Sequence, residues 1–180
     1  MLLIRPQSAG TRPDAGLSVL EVMLALAMIM IGLTAMTTTT LATHKLRRSD
    51  SDRQLAVAAL ESLLEEVQVV AESTPKDGTD WASQVLATFA APADRFPVLG
   101  LDPWDGEPSV LSVEILSNET LSDDTLGFNL GMPRDLDNDG ASDNPDVTDT
   151  ARMLPVIVRA RWQSSAGDRE LVQGAYLLGY

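Results

Sequence analysis

Residues 16–36 read GLSVLEVMLALAMIMIGLTAM, an apolar run interrupted by a single charged residue, Glu21. A helix needs about twenty apolar residues to cross the hydrocarbon of a bilayer, and residues 17–36 supply that length. Such a run is long enough for one membrane-crossing helix at the front of the chain. An ionised carboxylate inside a bilayer costs about 2.5 kcal/mol or more, less near the interface, so Glu21 needs a partner.

Gly16, then an apolar residue, then Glu21 five positions after the glycine, then unbroken apolar sequence, is an order of residues with a known likeness. It resembles the class III signal of type IV pilins and pseudopilins. The resemblance implies that a prepilin peptidase cuts after Gly16 and that Leu17 becomes a methylated amino terminus. It also implies that Glu21 pairs with the terminal amine of a neighbouring subunit. Leu17 stands where phenylalanine is common in that family. The implied partners are other pilin or pseudopilin subunits. The implied location is the inner membrane, with the C-terminal domain in the periplasm and fibre association after assembly. Ile31-Gly32-Leu33 somewhat resembles the type IV pilus modification branch of minor pilins. The long apolar helix and the absence of cysteine suit a type II secretion pseudopilin equally.

Two other readings of the front end stand beside this one. An ordinary secretory signal peptide conflicts with the length of the run, with Glu21, and with the lack of a small-x-small site before charge resumes. An uncleaved signal anchor would keep Met1 and present an exported, calcium-dependent binding module. Charge alone also points the other way: His44, Lys45, Arg47 and Arg48 outnumber Arg5 and Arg12 of the leader. The positive-inside rule would keep residues 44–48 in the cytoplasm, whereas the resemblance puts them outside.

The expected organisation is a leader at residues 1–16, a transmembrane helix half at 17–43, an amphipathic half at 44–73 and a small globular domain at 74–180. The four threonines at 37–40 are β-branched and mark either a weak point or a helix that simply continues. Ala56, Ala59, Leu60, Leu63, Leu64, Val67 and Val70 recur at three- and four-residue spacing, with Glu61, Glu65, Glu66 and Glu72 largely off that stripe. Ser73, Thr74, Pro75 and Gly78 end the helix. One helix from Leu17 to Glu72 would be about 80 Å long at 1.5 Å per residue.

A short helix is predicted over 80–90, capped by Asp80, ended before Pro92 and facing its core with Trp81, Val85 and Phe89. Residues 92–108 read as a Pro-, Gly- and Asp-rich loop, with Trp104 as its packing anchor. Alternation predicts a strand at 110–116 in a sheet with one wet face. A second strand follows at 153–163, with Val156, Val158, Ala160 and Trp162 inward and Arg159 and Arg161 outward. A turn at 164–168 returns it as a third strand over 169–178. The fold class is α+β: a long helix on a small antiparallel sheet, which is also the pilin-like layout.

The chain of 180 residues has no cysteine, so neither a disulfide nor a thiol nucleophile is available. Its net charge of −13 argues against a nucleic-acid surface. Half of its 26 acids lie between Leu101 and Thr150, against one basic residue, Arg134. Within that window Asp135, Asp137 and Asp139 are spaced by two and Gly140 follows. That spacing matches the start of a calcium-binding EF-hand loop. Asp143 falls at the ninth position and Asp146 at the twelfth, and the Ala141 carbonyl would serve the seventh. The expected cofactor is calcium. A solvated acidic turn is the competing reading.

No active site is expected. The only histidine, His44, sits among basic residues next to the membrane segment. That argues against a triad or a zinc site. Asp102, Asp105 and Glu107 crowd one loop, which disfavours a glycosidase pair. The leader reading is tested directly: with a bulky residue in place of Gly16, full-length protein is expected to stay in the membrane. Intact mass of the wild-type protein from a host with the peptidase should lack residues 1–16, and a retained leader would refute the cleavage.

Overall fold

The computed structural model describes residues 18–75, 80–89, 96–165 and 167–179. The expected leader, the cleavage pair Gly16 and Leu17, and the stop residues Gly78 and Pro92 lie outside the described residues. The first element is α1, Val19–Ser73. The chain divides at His44/Lys45 into two compact units, and α1 contributes to both.

In the first unit the helix is long and apolar enough to cross a membrane, and none of its apolar window is buried against protein. The helix continues through the threonine run. Thr37 donates to the Leu33 carbonyl at 2.8 Å, Thr38 and Thr39 donate to Ala35 at 2.8 and 2.9 Å, and Thr40 donates to Met36 at 2.9 Å. Each hydroxyl is thus satisfied within the helix.

The second unit contains the rest of α1, a helix α2 (Trp81–Phe89), a two-residue strand β1 (Asp102–Pro103), β2 (Leu111–Ile115), a short helix α3 (Asp123–Leu126), β3 (Met153–Ser164) and β4 (Gly167–Leu178). β4 pairs antiparallel with β3 along its whole length. β1 and β2 pair with successive parts of β3, which puts both on its opposite edge. The segment at 92–108, read as loop, therefore supplies a short fourth strand. Trp104 anchors that segment as expected: its indole donates to the Trp162 carbonyl at 3.3 Å, and Arg161 lies 5.1 Å over its ring.

One face of the sheet packs on α1 and α2. Ala56, Leu60, Leu63, Leu64 and Val67 meet Val156, Val158, Ala160 and Trp162 in one apolar cluster with Trp81, Val85 and Phe89. The predicted stripe on α1 is this buried face, and the four glutamates off it are exposed.

The other face is not wet throughout, contrary to the alternation argument. Ser112 and Glu114 of β2 are exposed as predicted, but β3 is buried without a break from Leu154 to Val158. A lobe built from residues 116–152 covers it. Leu116, Leu126, Met132, Leu136 and Val147 form a second cluster around Ile157. Arg159, expected to face solvent, has its guanidinium half-buried and donates to the Leu126 carbonyl at 2.6 Å. Gly174 lies opposite Ile157 in the register, and a Cβ there would meet Leu130 Cδ2 at 2.5 Å and Phe128 Cε1 at 2.6 Å. The missing side chain is what lets Phe128 and Leu130 lie on the sheet.

The lobe is stitched by main-chain bonds. Val147 N–H donates to Ser117 O at 2.8 Å, Glu119 N–H to Asn144 O at 3.1 Å, and Arg152 N–H to Leu136 O at 2.8 Å. Asp123 collects the N–H groups of Leu130, Gly131 and Met132 at 2.9 to 3.0 Å. The Met132 bond holds its carboxyl below the ordinary value, with Leu130 and Gly131 adding to the effect and burial opposing it. Leu136 is fully buried while Leu99 is 95% exposed. Leu136→Ala is expected to destabilise the second unit by about 2–5 kcal/mol. Leu99→Ala should change stability by less than about 0.5 kcal/mol. Equal effects in denaturant melts would refute the lobe as a second core.

Candidate functional sites

The Asp135–Gly140 stretch folds on itself because its carboxylates accept from the local backbone. Asp135 accepts from Asn138 N–H at 2.5 Å and from Gly140 N–H at 2.9 Å. Asp137 accepts from Asp139 N–H at 3.1 Å, and Asp139 from Ala141 N–H at 2.8 Å. The tight wrap needs positive φ at Asn138 (67°) and Gly140 (94°), residue types that tolerate it. Burial raises the Asp135 carboxyl, but the N–H groups of Gly140, Asn138 and Asp139 outweigh it, and the group titrates below the ordinary value of 3.8.

The loop closes on a residue that the spacing argument did not include. Glu119 is fully buried. Its Oε1 accepts from Leu136 N–H at 2.5 Å and from Asp137 N–H at 3.3 Å, and its Oε2 accepts from Asn144 N–H at 3.3 Å. Among the described residues no lysine or arginine forms an ion pair with it. One oxygen each of Glu119, Asp135 and Asp137 lies within 4.8 Å of the others, so the three can hold a metal ion.

The donor set suits a hard cation. Calcium–oxygen distances of about 2.3–2.6 Å put opposed ligands about 4.6–5.2 Å apart, which admits oxygens spread over 4.8 Å. Magnesium, at about 2.0–2.1 Å, demands a tighter octahedral shell. Like charges that converge without a cation repel one another, and a divalent ion among Glu119, Asp135 and Asp137 would offset that repulsion.

The other predicted ligands are placed differently. The Asp139 Oδ2 is linked to Asp137 through the Asn144 amide, at 3.3 Å to each. Ala141 is half-buried and Asp143 exposed on the same turn. Asp146 points elsewhere. Its carboxylate accepts from the Thr148 hydroxyl at 2.5 Å and the Thr148 N–H at 3.0 Å. Those two bonds, the hydroxyl first, hold its carboxyl below 3.8. The carboxylate that closes the cluster therefore comes from Glu119, sixteen residues upstream of Asp135. A lone glutamate in Asn118-Glu119-Thr120 carries no spacing signal.

Glu21 also has a local arrangement. Ser18 N–H donates to its Oε2 at 3.1 Å, and Glu21 N–H donates to Ser18 Oγ at 3.2 Å. This is a reciprocal capping box, which satisfies two of the free N–H groups at the helix start and sets a carboxylate at the positive end of the dipole. The Ser-x-x-Glu spacing was readable in the sequence. Comparison with protein-family models, with curated proteins and with solved structures finds no match to this chain.

Metal response tests the acidic centre. The full chain in detergent is expected to melt several degrees higher in millimolar calcium than in chelator, and less so in magnesium. A ligand at a hundred times its Kd stabilises by about 2.7 kcal/mol. Asp137→Ala should abolish the calcium increment. Glu119→Gln should remove most of it and should also lower the melting point in chelator, because an amide NH2 cannot accept from the Asn144 or Leu136 N–H as the second carboxylate oxygen does. Asp135 and Asp146 contribute stability that is present above the ordinary carboxyl value of 3.8 and is lost as pH falls through their lowered values. Unchanged melts across calcium, chelator and both variants would reduce the cluster to an acidic turn.

Proposed function

We propose that the chain is a non-catalytic minor pilin or pseudopilin subunit, inserted in the inner membrane by the first half of α1. In this reading it is processed by a prepilin peptidase and assembles with other subunits into a type IV pilus or a type II secretion pseudopilus. The observation that carries the reading is the lone carboxylate Glu21 at the front of an apolar helix that is unburied by protein, five residues after Gly16. After cleavage the amine of Leu17 would be the cation that Glu21 lacks. The capping box holds Glu21 at the helix start, where a neighbour's terminus would reach it. The long helix on a small antiparallel sheet is compatible with a pilin-like layout.

The same reading gives the acidic lobe a task. With no disulfide available, calcium on Glu119, Asp135 and Asp137 would tie residue 119 to the 135–137 turn and so close the lobe of residues 116–152 on itself. Asp139, Asp143 and the Ala141 carbonyl are the nearest candidates in sequence to complete the shell. The converged carboxylates also fit the alternative, a calcium-dependent binding module on an uncleaved anchor. The mature terminus separates the two: methylated Leu17 selects the subunit, and an intact Met1 selects the anchor.

Assembly is tested at Glu21. Glu21→Ala should insert and be cleaved normally, since the apolar run is preserved, but should fail to enter fibres or retain partner subunits. Ser18→Ala removes one arm of the cap and leaves the carboxylate. It should weaken the helix start by about 1 kcal/mol and still assemble. Normal assembly of Glu21→Ala would refute the pairing role.

A further inference from the structure

Guanidinium groups without a carboxylate partner are available to an oxyanion, which they bind through paired N–H donors. Arg53 and Arg169 are two such groups: neither makes an ion pair among the described residues. They line one cleft of about 320 Å³ together with Ser49, Asp50, Trp162 and Glu170. The strand register pairs Trp162 with Arg169, so both belong to the face of the sheet that packs on α1. Trp162 is 3% exposed, and its indole N–H has no hydrogen-bond partner. That N–H is closed to solvent, so the donors the cleft can offer are the two guanidiniums and the Ser49 hydroxyl, and the indole is part of its wall.

The two acids in the cleft differ. Glu170 is engaged by Arg161 at 2.9 Å and by Arg159 at 3.8 Å. Asp50 has no ion-pair partner among the described residues, so it reduces the positive charge offered by Arg53 and Arg169. That balance favours a singly charged phosphodiester over a doubly charged free phosphate. The α1 side of the cleft begins at Ser49, six residues after Thr43, the last residue of the expected transmembrane half. Phospholipid headgroups are the phosphodiesters at hand for such a segment.

We propose that this cleft binds the phosphodiester of a membrane lipid headgroup, with Arg53 and Arg169 as the anionic-oxygen clamp and Ser49 as an accessory donor. The choice of a lipid as the source rests on the membrane-inserted reading of α1. It does not depend on cleavage, fibre assembly or calcium.

The test uses the full chain in dodecyl maltoside, whose headgroup carries no phosphate. The indole N–H resonance of Trp162 is assigned by its loss in Trp162→Phe, a change that breaks no hydrogen bond. Short-chain phosphatidylglycerol is expected to move that resonance saturably, and monoolein, which lacks phosphate, is not. Arg53→Gln and Arg169→Gln should each raise the half-saturating lipid concentration about tenfold, the loss of one charge-assisted contact. Arg47→Gln, outside the cleft, should leave it unchanged. An equal response to monoolein, or an unchanged midpoint in both cleft variants, overturns the proposal. Inorganic phosphate acting at lower concentration than the lipid would assign the clamp to a soluble anion and overturn the lipid source.

Discussion

A strand buried on both faces needs two covers, and the second unit is arranged around that demand. β3 is buried continuously from Leu154 to Val158. α1 and α2 cover one side through the larger apolar cluster. The other side is closed by a segment with little regular structure of its own, residues 116–152. Such a segment must satisfy its backbone without a ladder. It does so with carboxylates: Asp123, Asp135, Asp137, Asp139 and Glu119 each accept main-chain N–H groups.

That solution explains the charge distribution. Of the thirteen acids between Leu101 and Thr150, these five brace the lobe from within, so the window is not a uniform solvated face. Its consequence is repulsion where Glu119, Asp135 and Asp137 converge. The geometry that holds a lobe without cysteine therefore also brings together carboxylates that could hold a divalent cation. α1 obeys a different constraint. Among the described residues of the first unit, the threonine hydroxyls bond back to helix carbonyls and Ser18 and Glu21 cap each other.

The sequence by itself determined what depends on local pattern. Apolar length fixed the membrane-type helix, three- and four-residue spacing fixed the buried stripe from Ala56 to Val70, and alternation with a glycine turn fixed the β3–β4 hairpin. Two further signals were present as well: Ser-x-x-Glu at residues 18–21, and the unbroken apolar run around Val156-Ile157-Val158, which implies burial on both faces. Only the tertiary structure decided what depends on contacts between distant segments. Leu136 and Leu99 are the same residue type, yet one is a core plug and the other is solvated, because the difference lies in what folds over them. Glu119 joins Asp135 and Asp137, while Asp146 turns to Thr148, because the main-chain bonds of the lobe bring residue 119 to residues 136 and 144. Spacing along a chain constrains only neighbours within a turn or a strand; closure of a loop on a remote carboxylate is set by the packing that holds both.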